Sequence, residues 1–185
     1  MPLLAFPVVG GQAQMVEFLL QQGAPVAPYS SLLLWLAARA GRLDLIELLV
    51  THGADVRTVD RIVGVYDLAI LRYLLSHGAS ATWSGKSGFP PLIFVARGDK
   101  GEHPEIVHLL LEHGAVVNAR GPHGRTALHY AAAAGYTRVI QVLLDHGADP
   151  ALQDQQGATA LSLARLAGKI AAAALLSQRG AGPRE

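Results

Sequence analysis

The amino-acid sequence predicts an all-α fold, a solenoid of helix–turn–helix units joined by β-hairpin-like fingers. A glycine-alanine pair follows a short aliphatic run six times in 185 residues. The glycines of these pairs lie 30, 25, 36, 33 and 33 residues apart, and a period near 33 indicates stacked repeats rather than one globular core. The composition is 51% hydrophobic but only 6% aromatic, which suits thin interfaces between slender repeats. The six glycines are Gly23, Gly53, Gly78, Gly114, Gly147 and Gly180.

Each repeat has the order turn, helix, helix. Before Gly147, apolar residues recur at helical spacing from Val139 to Leu144. Glycine then ends the helix, because it adopts the left-handed conformation common at helix C-termini. A turn-rich stretch follows at 149–157, and a second helical pattern begins at Thr159. The approximate repeat boundaries are 2–29, 30–58, 59–85, 86–121, 122–154 and 155–181, with a tail at 182–185.

Repeats one and two provide the first two helix pairs. In repeat one, Pro7 is expected to break or shorten the first helix, because proline lacks the backbone N–H that a helix interior needs. The second helix of this repeat is expected over residues 14–22. Repeat two is regular, with helical patterns at 32–38 and 43–52.

Repeat three is the most irregular. Only 25 residues separate Gly53 from Gly78, so residues 61–66 must replace an entire first helix. We expect that helix to be lost or reduced to a turn, which leaves a notch, and the second helix to cover residues 67–77. The favoured interpretation is a degenerate repeat whose neighbours repack, because a lost packing element destabilises the fold. The other interpretation is a pocket for a partner side chain or loop.

Repeat four carries an insertion between its two helices. The interval of 36 residues from Gly78 to Gly114 exceeds the 33-residue period, and residues 97–103 are charged and contain glycine. Pro104 suits the first turn of the second helix. We expect an exposed loop here, and insertions of this kind frequently lie on the binding face of repeat proteins.

Repeats five and six complete a predicted single domain over residues 1–185. The second helix of repeat six includes the apolar stretch 171–176, whereas a terminal repeat needs a polar outer face. We expect this helix to pack against a partner, a second copy of the chain or further sequence. Self-association through repeat six is therefore one open possibility, and a simple weak cap is another.

Repeat five resembles an ankyrin repeat. It reads T-A-L-H-Y-A-A from Thr126 to Ala132 and G-A-D from Gly147 to Asp149. The ankyrin pattern is T-P-L-H-x-A-A with a G-A-D ending, so only Ala127 departs from it, and the resemblance covers nearly the whole chain. It implies an ankyrin solenoid of about six repeats, irregular in repeats one, three and four.

The resemblance also implies roles for the motif residues. Thr126 is expected to be the N-cap of a helix, because its hydroxyl can satisfy free backbone donors. His129 occupies the position where family histidines hydrogen-bond between neighbouring turns. Small residues at 131–132 allow helices of adjacent repeats to approach closely. Trp35 stands in the histidine position of repeat two and is expected to pack.

Ankyrin proteins generally bind protein partners through finger tips and the concave face of the first helices. Trp83 is the strongest candidate, because an exposed finger tryptophan is costly unless it contacts a partner. The alternative is that Trp83 fills the notch of repeat three. The other finger candidates are Lys86, Phe89, Arg120, His123 and Arg125, and the inner-helix candidates are Arg39 and Arg97.

The sequence carries no complete catalytic, metal or nucleotide motif. Residues 85–87 read Gly-Lys-Ser, like the end of a phosphate-binding loop, but Ser80 stands where that motif needs glycine. His103, His108 and His113 follow at intervals of five, and a turn of about 140° per step keeps them apart on a helix. We therefore expect no enzyme activity, cofactor or metal.

Composition limits the partners and the environment. The net charge is +1, so no global attraction to nucleic acid is expected. The chain has no cysteine, no leader pattern and no long apolar run. We predict an intracellular, cytoplasmic scaffold-type module that binds a protein partner and neither nucleic acid nor membrane. A stand-alone inhibitor or immunity-type protein that blocks one enzyme or toxin is the alternative function.

Replacement of Trp83 by alanine is expected to weaken partner binding at least about tenfold, because tryptophan is a leading hot-spot residue. The melting temperature should stay unchanged. Calorimetric titration and thermal denaturation measure the two quantities. A large drop in melting temperature would show instead that Trp83 packs in the notch of repeat three.

Overall fold

Helices build nearly all of the regular structure in this chain. The computed structural model describes residues 2–59, 65–82, 89–98 and 100–180, and eleven α-helices lie in these ranges. The described ranges contain no strand, and their isolated antiparallel bridge joins Gln153 and Thr159 in the finger of repeat six. The all-α class is confirmed. No helix in the described part is long and apolar enough to cross a membrane.

Contacts between residues group the chain into two compact units, Met1–Ser80 and Ala81–Glu185. The single domain over residues 1–185 stays a prediction. In the first unit α1 packs on α3, and α2 packs on α4. Leu33, Leu45 and Leu49 are fully buried there. Each such leucine stabilises the unit by about 1.5–3 kcal/mol relative to an exposed position. The helices are α1 (Ala5–Val9), α2 (Ala13–Gln21), α3 (Ser30–Arg39), α4 (Leu43–Thr51) and α5 (Leu68–Ser76).

The second unit repeats the same two-layer packing. Its first helices α6, α8 and α10 contact one another in turn, and its second helices α7, α9 and α11 do the same. Ala131 and Ala132 are fully buried, as the small residues of the motif predict. The helices are α6 (Pro91–Arg97), α7 (Pro104–Glu112), α8 (Ala127–Ala134), α9 (Thr137–Asp145), α10 (Ala160–Leu166) and α11 (Ile170–Gly180).

The irregular repeats follow their sequence signals where they are described. Helix α1 has only five residues, and Pro7 lies in its first turn. Of the two expected effects of Pro7, a broken or a shortened helix, the structure shows the shortened helix. Pro104 is the first residue of α7. In repeat three, Asp67 accepts hydrogen bonds from the first backbone N–H groups of α5 at 2.9 and 3.1 Å. Residues 60–64, where the loss of a helix is predicted, lie outside the described ranges.

Four second helices, α4, α5, α7 and α9, end in the same way. A histidine follows the helix, and its Nδ1 lies 2.8 to 2.9 Å from the carbonyl oxygen four residues earlier. Gly147 then takes a positive φ of 81°, and Ala148 donates to the carbonyl of Leu143 at 2.9 Å. The same carbonyl also accepts from the backbone N–H of the histidine at 3.1 to 3.2 Å, so the imidazole adds a second donor to it. The histidines are His52, His77, His113 and His146.

A buried histidine joins repeats five and six. His129 is 1% exposed, and its Nδ1 accepts from the backbone N–H of Thr126 at 3.2 Å. Because Nδ1 accepts, Nε2 carries the proton and donates to the carbonyl of Ala158, 3.1 Å away. The N-cap position of Thr126 and the bridging role of His129 are thus confirmed. Burial lowers the pKa of His129.

Mild acid is expected to destabilise the chain through His129. Its folded-state pKa lies below the usual 6.5, so the unfolded chain takes up the proton first. The neutral ring of His129 contributes fully to the free energy of unfolding above pH 6.5. This stabilisation is lost as the pH falls from 6.5 toward the lowered pKa of His129. Chemical denaturation at pH 7.5 and pH 5.5 measures this loss, and NMR titration of the ring reads the pKa directly.

The matched variants are His129→Gln and His123→Gln. The first should show a weaker dependence of the unfolding free energy on pH than the native chain, because the buried titrating group is gone. The second replaces an exposed histidine by the same residue and is the control for the substitution itself. An NMR pKa for His129 at or above 6.5 would contradict the assignment.

Candidate functional site

The predicted partner-binding residues divide into three groups. Trp83 and Lys86 lie outside the described residues, so their roles stay predictions. Arg39 lies in the first unit, at the end of α3. The other five lie in the second unit and are Phe89, Arg97, Arg120, His123 and Arg125.

Phe89, Arg97 and Tyr130 form a surface that we call the aromatic patch, and His123 lies on the adjoining finger, next to Pro122. The rings of Phe89 and Tyr130 meet edge to face, with centroids 6.3 Å apart and planes at 65°. The guanidinium carbon of Arg97 lies 4.7 Å from the Phe89 ring centroid. All three of these side chains are half-buried. A cation and two aromatic rings are therefore held together before any partner arrives.

His123 places the finger tip beside this cluster. The hydroxyl of Tyr130 donates to the carbonyl of Pro122 at 3.4 Å, which links the first helix of repeat five to its own finger. His123 is exposed and has φ 61°, a positive value that is uncommon for residues other than glycine and costs them backbone strain. The conformation costs about 1–2 kcal/mol. Strain of this size at an exposed residue is typical of functional sites.

The repeat geometry explains why Tyr130 faces outward. Its neighbours His129 and Ala131 are buried in the layer of first helices, whereas Tyr130 is only half-buried. It fills the variable position x of the T-P-L-H-x-A-A pattern. Tyr130 is absent from the predicted site residues, although an aromatic residue at this variable position is a signal that sequence alone provides.

Each finger crosses a predicted repeat boundary and is named here for the repeat whose first helix follows it. Arg120 and Arg125 link the finger before α8, that of repeat five, to the finger before α10, that of repeat six. Arg120 Nη1 donates to the carbonyls of Gly124 and Gln153, both at 2.8 Å. Arg125 Nε donates to Asp154 Oδ2 at 2.9 Å. These bonds use guanidinium groups that the sequence predicts as partner contacts. Any direct partner contact by the two arginines therefore stays a proposal, while their repeat-to-repeat bonds are observed.

Asp154 is the acceptor at the centre of this finger linkage. Its side chain is 1% exposed, and Oδ1 accepts from the backbone N–H groups of Gln156 and Ala158, each at 2.9 Å. The hydrogen bond from Arg125 and then that from Ala158 hold the pKa of this carboxyl at about 2. Asp154 is thus ionised throughout the physiological pH range and keeps Arg125 in place.

The insertion of repeat four contacts repeat five. Glu102 Oε1 accepts from the backbone N–H groups of Arg138 and Val139, at 2.7 and 3.0 Å. These groups belong to the first turn of α9, whose N-cap position is held by Tyr136, which makes no side-chain capping bond. Glu102 therefore caps a helix of the next repeat. These backbone N–H groups have no acceptor within α9, and the Glu102 carboxylate supplies one.

Gly98 fits the insertion against the same neighbour. It has φ 72°, and a Cβ at this position would lie 1.9 Å from Cε2 of Tyr136. The Tyr136 hydroxyl donates to the Gly98 carbonyl at 3.0 Å. A side chain at position 98 would therefore separate the insertion from repeat five. The expectation of an exposed loop holds for Lys100 but not for the half-buried Glu102.

In the first unit, Arg39 lies over Trp35. The guanidinium carbon is 5.3 Å from the indole centroid, one helical turn away on α3. Trp35 is half-buried, which agrees with its expected packing role. Arg39 is exposed and remains a candidate contact of the first unit.

The aromatic patch has the chemistry of non-covalent recognition. Rings, a guanidinium and the adjoining imidazole of His123 can contact apolar, aromatic or anionic groups of another molecule. Within the described ranges, no cluster of three or more His, Asp or Glu residues is arranged to hold a metal. The patch is a half-exposed surface rather than an enclosed cavity.

Comparisons with known proteins match the repeats themselves. The family model for three copies of ankyrin repeats matches residues 63–154 and 120–184, and the single ankyrin-repeat model matches residues 32–61. Ankyrin repeat and SOCS box protein 6 of Homo sapiens is 34% identical over 135 residues, which cover 63% of this chain. The protein of the same name from Pongo abelii is 33% identical with the same coverage. The chain spans about a third, 32%, of the length of these curated relatives.

Replacement of Glu102 by alanine is expected to lower the free energy of unfolding by about 0.5–2 kcal/mol, the usual effect of losing a helix N-cap. Chemical denaturation measures the loss. Glu105→Ala is the matched control, because Glu105 belongs to the first turn of α7 and makes an exposed ion pair with Arg138 at 2.7 Å without capping α9. Such a pair contributes about 0–1 kcal/mol. Equal effects of the two variants would contradict the capping role of Glu102.

Proposed function

Because the chain belongs to the ankyrin-repeat family, whose repeats generally mediate protein–protein interactions, we propose that it is a non-enzymatic module that binds a partner protein through the aromatic patch. The observation that carries the proposal is the half-exposed cluster of Phe89, Arg97 and Tyr130 beside the strained finger residue His123. The partner would lie across the first helices and fingers of repeats four and five.

The residue types of the patch support a binding role. Tyrosine and arginine are among the residues that dominate binding energy at protein interfaces. The ring of Tyr130 is positioned by Phe89 on one side and by the carbonyl of Pro122 on another. Little side-chain entropy is therefore lost when a partner binds, and more of the contact energy appears as affinity.

The finger linkage supports the same proposal. Arg120, Arg125 and Asp154 fix the finger of repeat five to the next finger, so the backbone that carries His123 is anchored on one side. The carbonyl of His123 also accepts from the backbone N–H of Gln155 at 3.0 Å. In this proposal, the two arginines position the finger, and His123 contacts the partner.

Trp83 and Lys86 extend the proposed surface along the sequence. They precede Phe89 by six and three residues in the finger of repeat four. We therefore retain both as partner contacts in the proposal, with Trp83 as the larger apolar anchor. Arg39 would form a separate contact in the first unit.

The proposal takes only the role of the repeats from the family. The SOCS box for which the relatives are named carries no part of it, because the chain spans only about a third of those proteins. Ankyrin repeats are typically non-enzymatic interaction domains, which supports a non-enzymatic role in this proposal. The absence of cysteine is compatible with a reducing compartment, and we propose that the module acts inside the cell.

A comparative capture experiment tests the proposal. Proteins bound from a cell lysate are compared between the native chain and the double variant Phe89→Ala/Tyr130→Ala, and each specific protein is then purified and titrated. The double variant should bind at least about tenfold more weakly, which corresponds to about 1.4 kcal/mol. Its thermal denaturation should stay close to that of the native chain, since both side chains are half-buried rather than buried.

Tyr29→Ala is the matched control, because Tyr29 is an aromatic residue that is 39% exposed and lies in the first unit. It should leave binding unchanged. If every purified partner binds the double variant as tightly as the native chain, the aromatic patch is not the binding surface.

A further inference from the structure

Arg120 is held in the finger of repeat five by one nitrogen of its guanidinium group. The two hydrogen atoms of Nη1 are donated to the carbonyls of Gly124 and Gln153, both at 2.8 Å. The residue is nevertheless exposed. Because the guanidinium group is planar, two bonds to the backbone of two fingers fix its orientation at the protein surface.

The remaining nitrogens of Arg120 form an edge that is open to a partner. Nε and Nη2 have no acceptor among the residues that the structure describes. These two nitrogens form the fork that matches the two oxygens of a carboxylate. A guanidinium that Nη1 already holds in place loses little freedom when this fork binds, so more of the contact energy appears as affinity.

The carboxylate nearest in the finger linkage does not compensate the charge of Arg120. Asp154 is buried and accepts from Arg125 Nε at 2.9 Å, while its other oxygen accepts from two backbone N–H groups of its own finger. Arg120 binds neutral carbonyls instead. The remaining described carboxylates of the second unit have partners of their own and are Glu102, Glu105, Glu112, Asp145 and Asp149.

This pattern of charges favours a carboxylate over a phosphate group. A phosphate carries more negative charge and is typically bound by a cluster of arginines. Arg125 is the other arginine of the finger, and Asp154 already neutralises it. A single open fork on Arg120 therefore matches the single charge of an aspartate or glutamate side chain.

Arg120 and the aromatic patch bind the same tight turn, which consists of residues 121–124. A carbonyl of this turn accepts from the hydroxyl of Tyr130, which belongs to the patch. Arg120 binds another carbonyl of the turn and reaches Gln153 in the finger of repeat six. A partner segment that contacts both Tyr130 and Arg120 therefore crosses this turn, where His123 is exposed.

From these contacts we propose that Arg120 binds a carboxylate of the partner protein through Nε and Nη2 while the partner lies on the aromatic patch. The partner segment would carry an aspartate or glutamate for Arg120 and an apolar or aromatic residue for Phe89 and Tyr130. This inference rests on the proposed function, because it assigns the chemistry of the segment that the patch binds. Arg120 would have two roles, since Nη1 positions the finger and the opposite edge contacts the partner.

Selection from a phage-displayed library of short random peptides tests this assignment. The native chain is the bait, and the selected peptides are titrated against the native chain and against Phe89→Ala/Tyr130→Ala. Peptides that the double variant binds at least about tenfold more weakly should contain an aspartate or glutamate. Exchange of that residue for its amide should weaken binding to the native chain at least about tenfold, because a charge-assisted hydrogen-bonded pair is lost.

Two lysine variants locate the carboxylate of the peptide. Arg120→Lys keeps the positive charge but has no fork, so the preference for the acid over its amide should largely disappear. Arg125→Lys is the matched control, because it disturbs the finger linkage at Asp154 and should keep the preference. The preference compares two peptides on one variant, so a finger that is only weakened does not change it.

Thermal denaturation establishes that both lysine variants are folded. NMR of the Arg120 Nε–H in the native chain repeats the test without any substitution. The acid peptide should shift this resonance and slow its exchange with water, and the amide peptide should not.

Three results would overturn the role of Arg120, and they differ in what they indicate about the patch. Equal binding of acid and amide peptides, or a preference that survives in Arg120→Lys, excludes Arg120 as the carboxylate contact but leaves the aromatic patch as the binding surface. A preference that disappears in Arg97→Lys instead places the carboxylate on the patch itself. If no selected peptide depends on Phe89 and Tyr130, the proposed function fails, and the role of Arg120 fails with it.

Discussion

Burial of each helix pair against the next pair is the constraint on which the rest of the structure depends. A single pair has an apolar side that it cannot bury alone, so stability comes from neighbours. In the second unit, the fully buried Ala131 and Ala132 bring first helices close, while Leu143 fills the layer of second helices. Side chains left outside this packing, such as Tyr130, are free to vary and to carry function.

Polar contacts add directional links to this apolar stack. His129 joins two repeats through the carbonyl of Ala158, and Asp154 receives Arg125 from the preceding finger. A buried group of this kind is stabilising only when its hydrogen bonds are made, so the fingers of repeats five and six hold one relative geometry. The finger carrying His123 is consequently a defined surface next to the aromatic patch rather than a variable loop.

The sequence predicts the parts of this structure that depend on local spacing. Positive φ at Gly147, the capping position of Thr126 and the helix start at Pro104 follow from residue type and position within a repeat. Polar contacts between residues far apart in the sequence cannot be predicted in this way. Nothing in the local sequence indicates that Glu102 caps a helix 36 residues later. The same reason explains why Arg125 is predicted as a partner contact although its guanidinium binds Asp154.

The insertion of repeat four has a consequence for how the second unit unfolds. Glu102 supplies the first turn of α9 with acceptors that repeat five does not provide itself, and Gly98 holds the adjoining chain against Tyr136. In a linear array, the free energy of each junction determines whether neighbouring repeats melt separately or together. A junction with an added helix cap is stronger than one formed by apolar packing alone. Because His129 and Asp154 also link repeats five and six, repeats four to six are expected to open as one cooperative segment.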